Sequence, residues 1–329
     1  MSKELLHIEN ASIGYGQKVV LDALNLSLKS DELTVLLGPN GSGKSTLIRS
    51  ISGVQKLLGG RVCLKDIDLT DYQTKKLARE ISLVLTDNLA PGNLSVFALV
   101  ALGRFPYTSW LGSLSQADEE VIQWAIQSAG VEEFANRQLG ELSDGEKQKV
   151  MIARALAQEA DLMILDEPTA HLDSPNRIEI FHLLKTLTKH NDKAILISTH
   201  DIETALRYAD RLWLVVEDRV VTGIPEDLVL QGELEEAFKA ENVSFDYQKG
   251  TFYRSIATQN KGVNLSGNPV LVHWLGHALE RNGFHVTQSA ALKICAEGTK
   301  EAPLMRIDGV DNSYETIEKL LLELTNEES

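Results

Sequence analysis

Cysteine is scarce in this sequence, with two residues, Cys63 and Cys295, in a chain of 329. The two lie far apart and lack the spacing of a metal-binding pair, which argues against a disulfide framework and against a thiolate metal centre. We therefore interpret both as free thiols in a reducing compartment.

An excess of basic residues is also missing. The chain has 32 Lys and Arg against 47 Asp and Glu, a formal net charge of -15. A nucleic-acid surface needs a basic patch, so this balance argues against nucleic acid as a partner. No apolar run approaches the roughly 20 residues of a membrane-spanning helix, and residues 1–10 show no secretion-signal pattern. The composition, 43% hydrophobic and 24% charged, predicts a soluble cytosolic enzyme with room for two domains.

A glycine-rich segment, residues 38–46, carries the strongest chemical signal. It fits the phosphate-binding pattern G-x-x-x-x-G-K-[ST] at every position, between an apolar strand (Leu33–Leu37) and a helical run (Thr46–Ile51). Its backbone N–H groups and helix start suit an anion, whereas an ordinary glycine-rich turn need not match every position. We predict that the following residues bind ATP: Gly38, Pro39, Asn40, Gly41, Ser42, Gly43, Lys44, Ser45 and Thr46. In this pattern Lys44 reaches the β- and γ-phosphates, and the Ser45 hydroxyl is a ligand of Mg²⁺.

Three further segments follow in order: Leu142–Gln148 (LSDGEKQ), Leu162–Pro168 (LMILDEP) and Ile195–Asp201 (ILISTHD). Each has an ordinary structural interpretation when it stands alone. The first could be a helix-capping turn, the second a strand that ends in solvated acids, and the third a strand that ends in a structural histidine. Their order behind the phosphate-binding loop favours function instead.

Together these motifs resemble ATP-binding cassette (ABC) ATPase subunits over about residues 4–230. The resemblance implies that Asp166 holds Mg²⁺ through water, that Glu167 polarises the water attacking the γ-phosphate, and that His200 contacts that phosphate. It also implies that Tyr15 stacks on adenine, although an aromatic residue in a turn is an alternative. In this family two copies of the chain sandwich two ATP molecules. Each site combines the phosphate-binding loop of one chain with the signature of the other, which is the segment that Leu142–Gln148 resembles. The signature residues expected to bind nucleotide are Ser143, Gly145 and Glu146.

Residues 95–107 (SVFALVALGRFPY) resemble a stretch found in importers of iron–siderophore complexes, haem and cobalamin. An amphipathic helix followed by a turn at Pro106 is the alternative interpretation. The leading hypothesis is therefore an ATPase subunit at the cytoplasmic face of the membrane that energises import of such a metal chelate. The implied partners are a second copy, a polytopic membrane permease and, indirectly, a substrate-binding protein. The alternatives are a soluble ABC ATPase without a transporter and a weakly hydrolysing, nucleotide-gated binding module.

Two departures from the family pattern bear on the reaction. Thr86 stands where the family has a glutamine that touches Mg²⁺ and the attacking water, and we retain Thr86 as a candidate metal ligand. The signature has Asp144 and Glu146 in place of the usual Gly and Gln. Two added carboxylates should weaken triphosphate binding unless a basic neighbour such as Lys147 offsets them.

The predicted fold is α/β: a P-loop NTPase cassette with a β-rich lead-in, a mostly parallel core sheet and a helical insert over about Val96–Ala135. We place the cassette at residues 1–231 and a small α+β accessory domain of unknown role at residues 232–329. In the latter, His273 and His277 are four residues apart on a predicted helix, Pro269–Arg281. That spacing suits a metal, but no clear third ligand accompanies it, which favours a surface or packing role.

Overall fold

A computed structural model describes residues 3–85, 94–108, 113–191, 193–254 and 261–326. The chain divides into two compact units, Met1–Tyr253 and Arg254–Ser329. The strands of the first unit are β1 (Glu4–Tyr15), β2 (Lys18–Lys29), β3 (Leu33–Leu37), β4 (Gly59–Leu64), β5 (Ile67–Asp68), β6 (Ile81–Val84), β7 (Leu162–Leu165), β8 (Ala194–Ser198), β9 (Arg211–Val216), β10 (Arg219–Gly223), β11 (Val243–Asp246) and β12 (Thr251–Arg254). Its α-helices are α1 (Lys44–Ile51), α2 (Thr74–Glu80), α3 (Val96–Ala101), α4 (Gln116–Ser128), α5 (Asp144–Ala157), α6 (Ser174–Asn191), α7 (Ile202–Tyr208), α8 (Pro225–Leu230) and α9 (Glu233–Ala237).

Two sheets organise this unit. An antiparallel sheet has the strand order β2-β1-β4-β5, and a larger sheet has the order β10-β9-β3-β8-β7-β6. In the larger sheet the strands from β9 to β6 are parallel, and only β10 runs antiparallel to β9. The strands β3, β7 and β8 are apolar except for Thr34 and Ser198, and all of their residues are buried, as expected for parallel strands covered on both faces. The predicted cassette, with its β-rich lead-in and mostly parallel sheet, is confirmed.

The helical insert is built on α3 and α4, which both pack against α5. Helix α4 begins with a capping box, in which Ser115 and Asp118 each accept a hydrogen bond from the other's backbone N–H. Asp118 also accepts from Arg104 Nε at 2.8 Å, and Arg104 donates to the Ala157 carbonyl at 2.8 Å. Arg104, in the stretch used above to infer the cargo, thus ties the insert to the end of α5.

The boundary between the two units differs from the predicted one. Residues 232–253, which we expected in the accessory domain, belong to the first unit. Helix α9 packs against β9, and Leu234 and Phe245 are buried in the same cluster as the core of the parallel sheet. Rings in and beside the β11–β12 hairpin add to that packing, since Phe245 and Phe252 have centroids 4.9 Å apart. This apolar burial moves the end of the unit to Tyr253.

The second unit has the strands β13 (Gly262–Gly267), β14 (His285–Val286), β15 (Leu292–Gly298), β16 (Pro303–Ile307) and β17 (Ser313–Tyr314), with the helices α10 (Pro269–Arg281) and α11 (Ile317–Asn326). Its sheet has the order β14-β13-β15-β16-β17, with β13 parallel to both neighbours and the remaining pairs antiparallel. A separate apolar cluster includes Leu275, Ile294 and Leu320, all fully buried. This unit is the small α+β fold expected from the sequence. Over the described ranges, no helix has the length and apolar character needed to cross a membrane.

Candidate nucleotide-binding site

The glycine-rich loop connects β3 to α1, as its sequence predicts. Gly43 precedes the helix with a φ of 99°, and a Cβ at this position would lie 2.6 Å from Val20 Cγ1. A residue with a side chain would therefore be strained and would also clash. Because Gly43 has no side chain, the N-terminus of α1 has no side-chain cap. Its backbone donors are available to an anion.

Lys44 lies over this loop. Its Nζ donates to the carbonyls of Gly38 at 2.8 Å and Pro39 at 2.9 Å. An ammonium group has three donors, so one is left for a phosphate oxygen. Burial lowers the pKa of the Lys44 ammonium, and the negative charges of Glu167 and Asp166 partly oppose that shift. The two carboxylates therefore favour the charged form of the lysine in a buried position.

Ser45 and Asp166 come together from different strand ends. Strands β3 and β7 both neighbour β8, so their carboxyl ends lie at one edge of the sheet. Ser45 Oγ is 3.4 Å from Asp166 Oδ1, and Asp166 is 3% exposed. A hydroxyl and a buried carboxylate are hard oxygen donors of the kind that Mg²⁺ prefers, so the residues present fit this ion. The third predicted ligand, Thr86, lies outside the described residues.

Glu167 is adjacent to Asp166 but makes different contacts. Its Oε2 lies 3.7 Å from His200 Nδ1, and its own φ is 46°, in the left-handed region. The Glu167 N–H donates to Ser198 Oγ at 2.9 Å. Glu167 and His200, predicted to act on the γ-phosphate, are thus brought together beside Lys44.

Tyr15 is joined to the same site through the helix that follows the loop. Thr46 Oγ1 donates to the Tyr15 hydroxyl at 3.0 Å, and 53% of Tyr15 is exposed. An accessible ring held at one edge can stack on a planar base. The structure therefore places this aromatic residue next to the phosphate-binding loop.

The signature residues form a separate cluster at the start of α5. Ser143 caps the helix, and the Glu146 carboxylate accepts from the Ser143 N–H and hydroxyl, both at 2.7 Å. These bonds lower the pKa of Glu146. Asp144 is paired with Lys147 Nζ at 3.2 Å, the basic neighbour considered from the sequence. Across the described ranges, no hydrogen bond or ion pair joins residues 143–146 to residues 38–46.

Gly145 lies behind the cap, against α6. A Cβ on Gly145 would lie 2.8 Å from Asn176 Oδ1, so a larger residue here would push into that side chain. The glycine keeps the first turn of α5 close to the neighbouring helix. Gly145 therefore faces α6, and Ser143 is left exposed at the N-terminus of α5.

One residue of the site was missed by sequence reasoning. Ser198, fully buried at the end of β8, donates to Asp166 Oδ1 at 2.6 Å and accepts from the Glu167 N–H. In sequence it is one small polar residue at the end of an apolar strand, and no motif singles it out. Its position between two predicted site residues follows from the strand order alone.

The two histidines of the second unit lie on α10 with ring centroids 4.5 Å apart, and Trp274 contacts both rings. Within the part of the chain that the structure describes, no group of three or more His, Cys, Asp or Glu could hold a metal ion. The pair is thus part of an aromatic cluster on the helix.

Comparison with known proteins adds to this geometry. Residues 21–170 match the ABC transporter family, and residues 260–325 match the Iron ABC transporter C-terminal domain. The petrobactin import ATP-binding protein FpuD of Bacillus anthracis is 36% identical over 251 residues, which cover 76% of this chain and 92% of FpuD. The ferric enterobactin transport ATP-binding protein FepC of Escherichia coli K12 is 35% identical over 222 residues, 67% of this chain and 82% of FepC.

A likeness to solved structures covers the cassette. The dimeric structure of MJ0796, a bacterial ABC transporter cassette, matches with a TM-score of 0.58 at 29% identity. The match covers 67% of this chain and 99% of that one.

Proposed function

Because the chain belongs to the ABC transporter family as an ATP-binding protein, we propose that it powers import of an iron chelate through a separate membrane permease. Members of this family are ATPases, so the resemblance inferred from the sequence and the predicted ATPase activity are confirmed. The proposed cargo class is the one expected from the sequence: iron–siderophore complexes, haem or cobalamin.

The observation that carries the cargo proposal is the order of two family matches in one chain. An ABC transporter domain is followed by an Iron ABC transporter C-terminal domain. FpuD and FepC, which are similar over two thirds or more of this chain, serve petrobactin import and ferric enterobactin transport. Iron–siderophore complexes are therefore the favoured cargo within the class.

In the proposed reaction, the loop of residues 38–46 holds the triphosphate through its backbone N–H groups and one ammonium proton of Lys44. Glu167 accepts a proton from the water that attacks the γ-phosphorus, and His200, beside it, contacts the same phosphate. Tyr15 stacks on adenine. Ser45 and, through water, Asp166 would hold Mg²⁺, which would supply positive charge against the triphosphate.

We further propose that the complete site needs two copies of the chain. Ser143, Gly145 and Glu146 lie at a helix N-terminus that makes no hydrogen bond or ion pair with the phosphate-binding loop of its own chain in the described residues. In a dimer they would bind the γ-phosphate of the partner's ATP, as one end of an anion-binding helix can. The dimeric cassette of MJ0796 supports this arrangement. The remaining partners are a polytopic membrane permease, which this chain would meet at the cytoplasmic face of the membrane, and indirectly a substrate-binding protein.

The cargo is tested by deleting the gene and measuring uptake of radiolabelled iron–siderophore, haem and cobalamin. We expect iron–siderophore uptake to be lost, to return with the wild-type gene and to stay absent with Glu167→Gln. Ser82→Ala is the matched control, because Ser82 is buried in β6 and its hydroxyl has no hydrogen-bond partner in the described residues. Unchanged uptake of all three compounds in the deletion strain would refute the cargo proposal.

A further inference from the structure

Ser198 is the last residue of β8, the strand that lies between β3 and β7 in the larger sheet. Strand β8 pairs with β3, which leads into the phosphate-binding loop, and with β7, which leads into Asp166. In register, Ser198 is opposite Leu36, and Ile197 is opposite Leu165. The side chain at position 198 therefore emerges where β7 ends and its two carboxylates begin.

One hydroxyl serves both carboxylate residues. Ser198 Oγ donates its proton to Asp166 Oδ1 at 2.6 Å and accepts from the Glu167 N–H at 2.9 Å. A serine hydroxyl has one donor and two acceptor sites, so it makes both bonds at once. Asp166 Oδ1 also lies 3.4 Å from Ser45 Oγ. Ser198 thus fixes the carboxylate oxygen that faces the residue predicted to share its metal ion.

The second bond acts on the backbone of Glu167. A φ of 46° is uncommon for a residue with a side chain and has to be held by the surroundings. The bond to Ser198 Oγ holds the Glu167 N–H in that conformation, while the Glu167 side chain lies beside His200. Without it, the left-handed turn would lose the contact that anchors it to the sheet.

We propose that Ser198 is a positioning residue for ATP hydrolysis. It orients Asp166 toward Ser45 and keeps Glu167 in the conformation that directs its side chain toward His200. This inference rests on the proposed roles of Asp166 and Glu167. Ser198 itself is fully buried, and it acts through its two neighbours.

The test compares Ser198→Ala with Ser82→Ala in the full chain. Both replacements remove a hydroxyl from a fully buried strand position of the same sheet, but only Ser198 bonds to the carboxylate pair. We expect Ser198→Ala to lower kcat about 10- to 100-fold, as loss of a residue supporting a metal ligand does, and Ser82→Ala to leave it unchanged. Ser198→Thr keeps the hydroxyl and should restore kcat. Ser198→Cys fills the same space with a weak donor and should resemble alanine, so it replaces the alanine variant if that one does not fold.

A binding measurement separates positioning from general damage. Affinity for a fluorescent ATP analogue is measured with Mg²⁺ and with EDTA, in a Glu167→Gln background that prevents turnover. Ser198→Ala should leave the EDTA affinity unchanged and reduce the gain from Mg²⁺ about tenfold. Equal behaviour of the two alanine variants, or equal loss of affinity with and without Mg²⁺, would overturn the inference. A wild-type chain that does not hydrolyse ATP, or a Glu167→Gln variant with normal kcat, would instead overturn the proposed function.

Discussion

Each unit of the chain contains a parallel strand that is followed by a turn and a helix, and the N-termini of the two helices are capped differently. Between β3 and α1 the cap is Gly43, which offers no side chain, so the first backbone donors of the helix stay free. Between β13 and α10 the cap is Asn268, whose side chain accepts from the Val270 N–H at 3.0 Å. Pro269 then removes another donor at the first helical position. The same β-turn-α unit is thus open to an anion in the cassette and satisfied by its own residues in the accessory unit.

A second contrast concerns what surrounds each helix start. Around α1, Lys44 lies close to Asp166 and Glu167, whose negative charges favour the charged form of the lysine. At the start of α10 the Asn268 side chain instead bonds to the chain's own backbone, accepting from the Val270 N–H and donating to the Gly298 carbonyl. A helix N-terminus becomes a phosphate site when free donors and placed charges occur together.

The carboxylate beside the open helix should matter most. Glu167→Gln removes the charge that orients the attacking water but leaves the phosphate-binding loop intact. ATP should still bind, turnover should fall at least about a hundredfold, and an ATP-bound dimer should accumulate on sizing columns. Lys44→Ala should lose binding instead. Wild-type turnover in Glu167→Gln would remove this residue from the mechanism.

Helix α4 begins with a capping box that includes the Asp118 carboxylate, so the stability of the protein should depend on pH there. Hydrogen bonds from Ser115, and then the bond from Arg104, lower the pKa of Asp118 from 3.8 to about 2. A lowered folded-state pKa means that the stabilisation is present above pH 3.8 and disappears as the pH falls toward 2.

We expect the unfolding free energy to drop by about 2 kcal/mol from this group between pH 4 and 2. Urea unfolding of the wild type and of Asp118→Asn across that range measures it. The asparagine variant should lack this component, and parallel curves for the two proteins would contradict the assignment.

The open cap itself can be blocked. Gly43→Ala places a methyl group 2.6 Å from Val20 Cγ1 at a φ of 99°, so the loop must shift. We expect ATP affinity to fall about tenfold or more, because strain and overpacking of this kind cost on the order of 1–3 kcal/mol. Gly41→Ala is the control: its φ is 79°, but nothing lies within 4 Å of the added Cβ. Equal losses in the two variants would show that backbone strain, not the clash with Val20, sets the effect.

The Asn268 cap of α10 should affect the stability of the second unit but not the binding of nucleotide. Asn268→Ala leaves the Val270 N–H without its side-chain acceptor and should destabilise the second unit by about 1 kcal/mol. ATP affinity and turnover should not change. Hydrogen exchange of the α10 backbone amides across a urea series, combined with an ATPase assay, measures both. A change in ATP affinity would show that this helix start communicates with the site.

The smallest effect is expected from removing the accessory unit. From the sequence we would cut after Gln231, but the structure puts residues 232–253 in the first unit, so the cut belongs after Tyr253. A chain of residues 1–253 should bind ATP with wild-type affinity. We expect a change in the basal rate of ATP turnover, measured by an ATPase assay, or in the dimer fraction, measured by sedimentation. An insoluble 1–253 chain would contradict the division into independent units, and a cut after Gln231 should be the less soluble of the two.

Much of this architecture could be predicted, because its causes are local. Helix α10 has the predicted bounds, Pro269–Arg281, since Asn268 caps it, proline starts it and Gly283 takes a φ of 84° just beyond its end. The phosphate-binding loop is equally local. Hairpin β11–β12 was not foreseen as part of the first unit, because its place depends on Phe245 packing into a core whose other members lie elsewhere in the chain.

The amino-acid sequence alone is enough to nominate the residues that could do chemistry: the glycine loop with Lys44 and Ser45, the adjacent pair Asp166 and Glu167, and His200. Backbone conformation and side-chain chemistry over a few residues are enough for that. How these residues meet depends on tertiary packing, because the order of parallel strands is set by burial of whole apolar strands and not by any short pattern. That order places β8 between β3 and β7, and with it Ser198 between Asp166 and Glu167. A serine at the end of an apolar strand acquires its contacts only when distant strands pack beside it.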